Sequence, residues 1–251
     1  MLLSIDAFYK TKTSESLAKY LAKVSSERRK LVKLEVDLIP QIRTKWEKIL
    51  TDRTTDRDRA ENAINACYLY AGIGRARVLW TENPLIAMKT SIDRPDLINV
   101  GDRILQQIWD SCHREIARQI DPDFIQVVKA YANPRAQLTG EGQNIAFDRL
   151  GDFLNEVSIA EIKKTYPLLG PSSLPTAMQD YRIAYLSYLD YFHQIGIDIP
   201  QIQLLIDLAR SCGCCWAFEN ITILTPKASA IEFNNHGELI ALVYDGINIL
   251  D

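Results

Sequence analysis

The sequence predicts an α+β fold, a predominantly α-helical body with a small C-terminal antiparallel β-meander, and three observations lead there. Apolar residues recur with helical spacing over the first four-fifths of the chain. After Trp216 the pattern changes to short strand-like runs, and residues suited to tight turns stand between those runs. Helices followed by a separate group of strands are the mark of α+β rather than of alternating α/β architecture.

Leu17, Tyr20, Leu21 and Val24 share a face and predict a first amphipathic helix over residues 14–33, with a second short one near Leu31. Ile39, Ile42, Trp46, Ile49 and Leu50 repeat the pattern. Because proline fits only the first turn of a helix, that element is expected from Pro40 to Leu50. Asp56 is placed to cap a helix carrying Ala60, Ala63, Ile64, Cys67 and Ala71 on one side, with Gly72 as its stop. A short extended run, Arg77 to Trp80, precedes a helix entered through Asn83-Pro84 and running to Lys89. Beyond Gly101, Ile104, Leu105, Ile108, Trp109, Cys112, Ile116 and Ile120 form the stripe of a long helix.

A further helix is expected after Pro122, then a loop over residues 132–142, then a helix opened by the capping-box pair Ser158 and Glu161. Pro175 to Gln194 places Tyr181, Ala184, Tyr185, Tyr188, Leu189 and Phe192 on one face and stops at Gly196. Pro200 to Ser211 is the last helix. Strands are expected at Ile221–Leu224, Ala230–Phe233, Glu238–Tyr244 and Ile247–Leu250, joined through Asn234-Asn235-His236-Gly237 and Asp245-Gly246. The organisation read from this is a helical N-terminal extension, 1–35, and a single α+β domain, 36–251, with helices in 36–212 and the meander in 220–251.

Composition narrows the function classes. With 47% hydrophobic and 24% charged residues the chain is an ordinary globular one. No segment approaches the roughly 20 apolar residues that span a bilayer, and the N-terminus lacks the basic and apolar regions of an export signal. Five cysteines, an odd number at irregular spacing, fit reduced thiols better than a disulfide framework. The expectation is a soluble, cytoplasmic protein. The net charge of −3 hides an asymmetry: the first 60 residues carry 14 Lys and Arg against 9 Asp and Glu, and the remainder is acidic.

Several groups of residues invite a chemical reading, and each has a plainer one beside it. Cys212, Cys214 and Cys215 offer soft ligands, with His193 as a nitrogen donor, but no second ligand pair stands at metal-site spacing, and buried thiols at a helix-to-strand corner are the preferred reading. Gly72-Ile73-Gly74-Arg75 can form an anion nest or simply end a helix, and the tyrosines at 181, 185 and 188 can stack a planar ligand or fill a core. The basic stretch from Lys10 to Lys33 is interrupted by Glu15 and Glu27 and lacks aromatic residues to read bases, so a solvated helix face is expected and nucleic acid is not. The common nucleophile-elbow, zinc-protease, P-loop and dinucleotide motifs are absent from the sequence.

Two segments carry a resemblance. Tyr70-Ala71-Gly72 followed by Val78-Leu79-Trp80-Thr81-Glu82-Asn83-Pro84-Leu85 is similar to Leu-Ala-Gly followed by Val-Trp-Val-Asp-Ser-Pro-Leu. Leu208-Ala209-Arg210-Ser211-Cys212-Gly213-Cys214-Cys215-Trp216-Ala217-Phe218-Glu219 resembles Leu-Ala-Arg-Ser-x-Gly-Trp-Trp-Trp-Pro-Phe-Glu. Both patterns belong to an uncharacterised bacterial family, a domain of unknown function frequent in cyanobacteria and actinobacteria. The resemblance runs from about Trp46 to Asp251. Where Cys214 and Cys215 stand, that family has tryptophans, which implies packing positions rather than metal ligands.

The resemblance points to Trp80, Glu82 and Asn83 in one segment and Arg210, Trp216 and Glu219 in the other as ligand- or partner-binding candidates, being polar or aromatic residues at corners between elements. The other reading of these residues is architectural, with Arg210 and Glu219 paired to hold the sheet on the helices. The leading functional expectation is a non-catalytic binding or adaptor module with a protein partner, without cofactor, metal or membrane, its oligomeric state left open. The alternative is an enzyme or small-ligand-binding protein with a cleft between the Trp80–Pro84 and Arg210–Glu219 segments, Glu82 or Glu219 as acid/base and Arg210 as anion clamp.

Overall fold

The computed structural model describes residues 33–94, 96–120, 125, 183–233 and 239–249. The helices expected over residues 14–32, after Pro122 and at the Ser158–Glu161 capping box lie outside these residues, as do the loop at 132–142, Tyr181 and the turn at 234–237. Six helices are described: α1 (Lys33–Thr51), α2 (Arg57–Tyr70), α3 (Pro84–Ile92), α4 (Gly101–Gln119), α5 (Ile183–Gln194) and α6 (Ile202–Ser211). The strands are β1 (Arg77–Trp80), β2 (Cys215–Ala217), β3 (Ile221–Leu224), β4 (Ala230–Phe233), β5 (Leu239–Tyr244) and β6 (Ile247–Asn248). The fold class is α+β. Among the described residues no helix is long and apolar enough to cross a membrane.

Helix α1 corrects the expectation that Pro40 opens a helix, because Pro40 lies inside it. A mid-helix proline costs ~3 kcal/mol through its missing N–H and ring clash. Ile39, Ile42, Trp46 and Ile49 are all buried on one face, and each such side chain contributes roughly 1.5–3 kcal/mol, so packing outweighs the break. Helix α2 begins at its expected cap, with Asp56 accepting a hydrogen bond from the Arg59 amide at 3.0 Å, and α3 begins where Asn83 accepts from the Ile86 amide at 3.0 Å. On α4, Ile104, Leu105, Ile108, Cys112 and Ile116 form the buried stripe. Asp110 is engaged by Gln106 at 2.7 Å rather than by Arg114.

The expected strands form, but they divide between two sheets. The first has the order β1-β3-β2, with β1 parallel to β3 and β2 antiparallel to it. Ile221–Leu224 therefore leaves the expected meander and joins Arg77–Trp80, about 140 residues away in sequence. Side chains alternate across this sheet. Cys214, Trp216, Phe218, Ile221 and Ile223 pack with Ala87 and Met88 of α3 on one face, while Cys215, Ala217 and Leu224 join the large helical core on the other. Both faces are covered, which explains why β3 is a continuously buried Ile-Thr-Ile-Leu run whose one polar residue, Thr222, is itself buried and donates to the Trp216 carbonyl.

The remaining strands form the antiparallel meander β4-β5-β6, with Asp245 and Gly246 at positive φ (48° and 81°) in the tight turn before β6. Its inner face, Leu242, Tyr244 and Ile249, packs with Ala228 and with Leu85 of α3. The large core lies among α1, α2, α4, α5 and α6, centred on Trp46, Tyr68, Tyr188, Tyr191 and Phe192. Tyr188 is thus a core residue; it meets Phe192 edge-on at 6.2 Å between ring centroids and hydrogen-bonds His113.

Candidate functional site

The C-terminal end of α6 meets the N-terminal end of α2. The Asp56 amide donates to the Ser211 carbonyl at 2.9 Å, and Arg59 reaches Asp207 at 2.5 Å, so the two helices run antiparallel. Residues of α1 between Pro40 and Ile49 border this junction, and Asp52 and Thr54 of the α1–α2 loop complete its floor lining. The result is an open cleft of about 930 Å³. Its walls carry Lys45 and Lys48 from α1, Asp52 and Thr54 from the α1–α2 loop, Asp56 and Arg59 at the start of α2, and Arg210 and Ser211 at the end of α6.

The charges in this cleft differ in how they are committed. Lys45 is bound to the buried Asp190 at 2.6 Å, and Arg59 to Asp207. Lys48 and Arg210 have no ion-pair partner among the described residues. The two carboxylates already serve the backbone: Asp56 caps α2, and Asp52 accepts from the Thr54 amide at 2.9 Å. The hydrogen bonds from the Thr54 backbone and side chain hold Asp52 below the usual carboxylate range. Asp52 is therefore not placed for proton transfer near neutral pH, since a general acid or base needs a pKa raised toward 7.

Behind the floor stands Lys227, whose amide donates to the Thr55 hydroxyl at 2.9 Å and whose ammonium donates to the Ile49 carbonyl at 3.4 Å. Desolvation pulls this ammonium below the usual lysine range. Asp52 opposes that shift, and repulsion from Arg53 and Arg210 adds to it. Desolvation likewise lowers Arg53. Cations are thus held here against desolvation and against one another.

The candidates named from the sequence scatter. Arg210 alone lies in the cleft. Trp80 ends β1 half-buried, its indole N–H donating to Glu61 at 2.8 Å and its ring under the Arg57 guanidinium at 5.1 Å. Glu82 is exposed in the turn before α3, and the Asn83 side chain is spent as the α3 cap. Trp216 is 2% exposed in the second core, too enclosed to meet a ligand. Glu219 is exposed at the β2–β3 turn, beside Arg77, Arg94 and Asp96 around a smaller cavity of about 290 Å³. Because Arg210 lies before β2 and Glu219 at its far end, they stand at opposite ends of the first sheet. Among the described residues they form no ion pair.

The cysteines are structural in their surroundings. None of the five forms a disulfide and all are buried, and Cys214 and Cys215 point to opposite faces of the sheet, as successive strand residues must. Burial pushes the Cys67 and Cys112 thiols up to about 12, and raises Cys215 well above its ordinary value. Among the described residues no group of three or more His, Cys, Asp or Glu side chains is arranged to hold a metal ion. Gly72 ends α2, with the Ile73 amide returning to the Tyr68 carbonyl at 2.9 Å, so the glycine pair acts as a helix stop.

Lys48, Asp52, Asp56 and Arg59 line the cleft without belonging to any sequence motif. The signal that could have found them is the basic surplus of the first 60 residues, which reaches beyond the N-terminal stretch into this cleft. Comparison with known protein families, with curated proteins and with solved structures finds no match to this chain.

Proposed function

We propose that this chain is a non-catalytic binding module, and that the cleft between α1 and the α2–α6 junction is its recognition site for an anionic group. The observation that carries this reading is the division of labour among the cleft's charges. Among the described residues Lys48 of α1 and Arg210 of α6 stand without ion-pair partners, whereas Asp52 and Asp56 each hold a backbone amide through one oxygen. Arg210 keeps the anion-clamp role expected from the sequence, with Lys48 rather than a glutamate as its companion. Long-range attraction from such a pair also raises the encounter rate with an anionic partner.

The test is capture from host lysate, read by gel and by native mass spectrometry, with wild type beside a Lys48→Glu/Arg210→Glu variant. A bound protein or small molecule that disappears with the variant, at an unchanged circular-dichroism melt, supports the reading. Turnover of a substrate by the wild type that is lost in the same variant would instead make this an enzyme site.

A further inference from the structure

Resting on that reading, we infer that the cleft takes a phosphorylated polyol, a sugar phosphate or a ribonucleotide, with its phosphate between Lys48 and Arg210 and its hydroxyl groups on Asp52 and Asp56. Size is the first ground. A volume of about 930 Å³ lies in the range of small-molecule pockets and leaves room for a body attached to the charged group.

The donor set is the second ground. A planar guanidinium fork saturates a carboxylate by itself, whereas a tetrahedral phosphate offers further oxygens to a second donor of different geometry. Arg210 from α6 and Lys48 from α1 supply that combination from two walls. Lys227, whose ammonium donates to the Ile49 carbonyl, lies close enough to interact electrostatically with both Asp52 and Arg210.

The carboxylates are the third ground, and they separate this ligand from an acidic peptide. Asp52 and Asp56 each accept a backbone amide at Oδ1, and Asp52 also meets the Thr54 side chain, but an ionised carboxylate has acceptor sites beyond these. A peptide with successive carboxylates would set like charges against them. A phosphate ester concentrates its charge at one end and presents hydroxyl donors at the other, which these acceptors suit.

Isothermal titration of the full chain decides the matter, with AMP, ATP, ribose 5-phosphate and glucose 6-phosphate as probes, and with ribose, adenosine, inorganic phosphate and a hexaglutamate peptide as comparators. At least one phosphate ester is expected to bind one-to-one with a Kd below about 1 mM. The three comparators lacking phosphate, ribose, adenosine and hexaglutamate, should fail to bind. Arg210→Leu and the more exposed Lys48→Met should each weaken binding about tenfold or more. Asp52→Asn should weaken the hydroxylated ligand more than its deoxy analogue. Absence of binding by every phosphate ester, binding indifferent to both cation variants, or tighter binding of hexaglutamate would each overturn the assignment. Should lysate capture still deliver a ligand that Lys48→Glu/Arg210→Glu abolishes, the phosphate assignment alone falls and the binding-module reading stands.

Discussion

Asp190 is a buried carboxylate that ties α1 to α5, and replacing it by alanine separates its contributions. The side chain is 2% exposed and accepts from the Lys45 ammonium at 2.6 Å, the Trp46 indole N–H at 2.9 Å and the Gln194 amide at 3.3 Å. Trp46 is fully buried, so Asp190→Ala strands its N–H in the core at about 1–3 kcal/mol. Lys45 is 28% exposed and can turn to water, which keeps the lost ion pair below the roughly 3–5 kcal/mol of a fully enclosed pair. The sum is about 2–4 kcal/mol, or about 4–15 °C in Tm for a chain of this size. Asp190→Asn preserves an acceptor for the indole and should cost about half as much. Urea denaturation supplies the free energies, and the Asp190→Ala/Trp46→Phe double variant supplies the coupling between the two residues. If Asp190→Ala lies within about 0.5 kcal/mol of wild type, the exchange of buried polar partners assumed here is wrong.

Three further outcomes are expected. A Cβ at Gly213 would collide with the Pro226 carbonyl oxygen and stand 2.8 Å from the Thr225 hydroxyl, so Gly213→Ala should cost about 1–3 kcal/mol in urea melts, whereas Gly74→Ala, with open space around it, should cost little. Tyr68→Phe removes the hydroxyl that donates to the Phe218 carbonyl at 2.6 Å and binds α2 to the first sheet; a loss of about 1–2 kcal/mol should appear by the same assay, and faster amide exchange in residues 215–224 should accompany it. Because the folded chain keeps protons on Cys67, Cys112 and Cys215 that unfolded thiols release above pH ~9, the thiols' contribution to stability should be flat below that pH and fall as pH rises toward 12, by up to ~1.4 kcal/mol per pH unit for each thiol. Cys67→Ala should flatten that slope, and an unchanged slope in each of Cys67→Ala, Cys112→Ala and Cys215→Ala would remove the thiols as its cause.

What the residues determined by themselves is the local structure. Helix caps at Asp56 and Asn83, the stop at Gly72, the stripe on α4 and the turn at Asp245-Gly246 all follow from side-chain chemistry within a few positions, and each strand run falls within a residue or two of its place. What tertiary structure alone decided is pairing and proximity. Ile221–Leu224 pairs with Arg77–Trp80 because a strand buried on both faces gains from covering by α3 on one side and the helical body on the other, a gain invisible in a four-residue run. Pro40 stays helical for the same reason, since the burial of Trp46 and its isoleucine neighbours outweighs a local penalty. The cleft is the extreme case. Lys48, Asp52, Asp56 and Arg210 come together only because α2 and α6 pack antiparallel and α1 lies along their junction. Residues separated by some 150 positions meet through packing free energy, to which local propensity contributes nothing, so Arg210 could be singled out from the sequence while its companions could not.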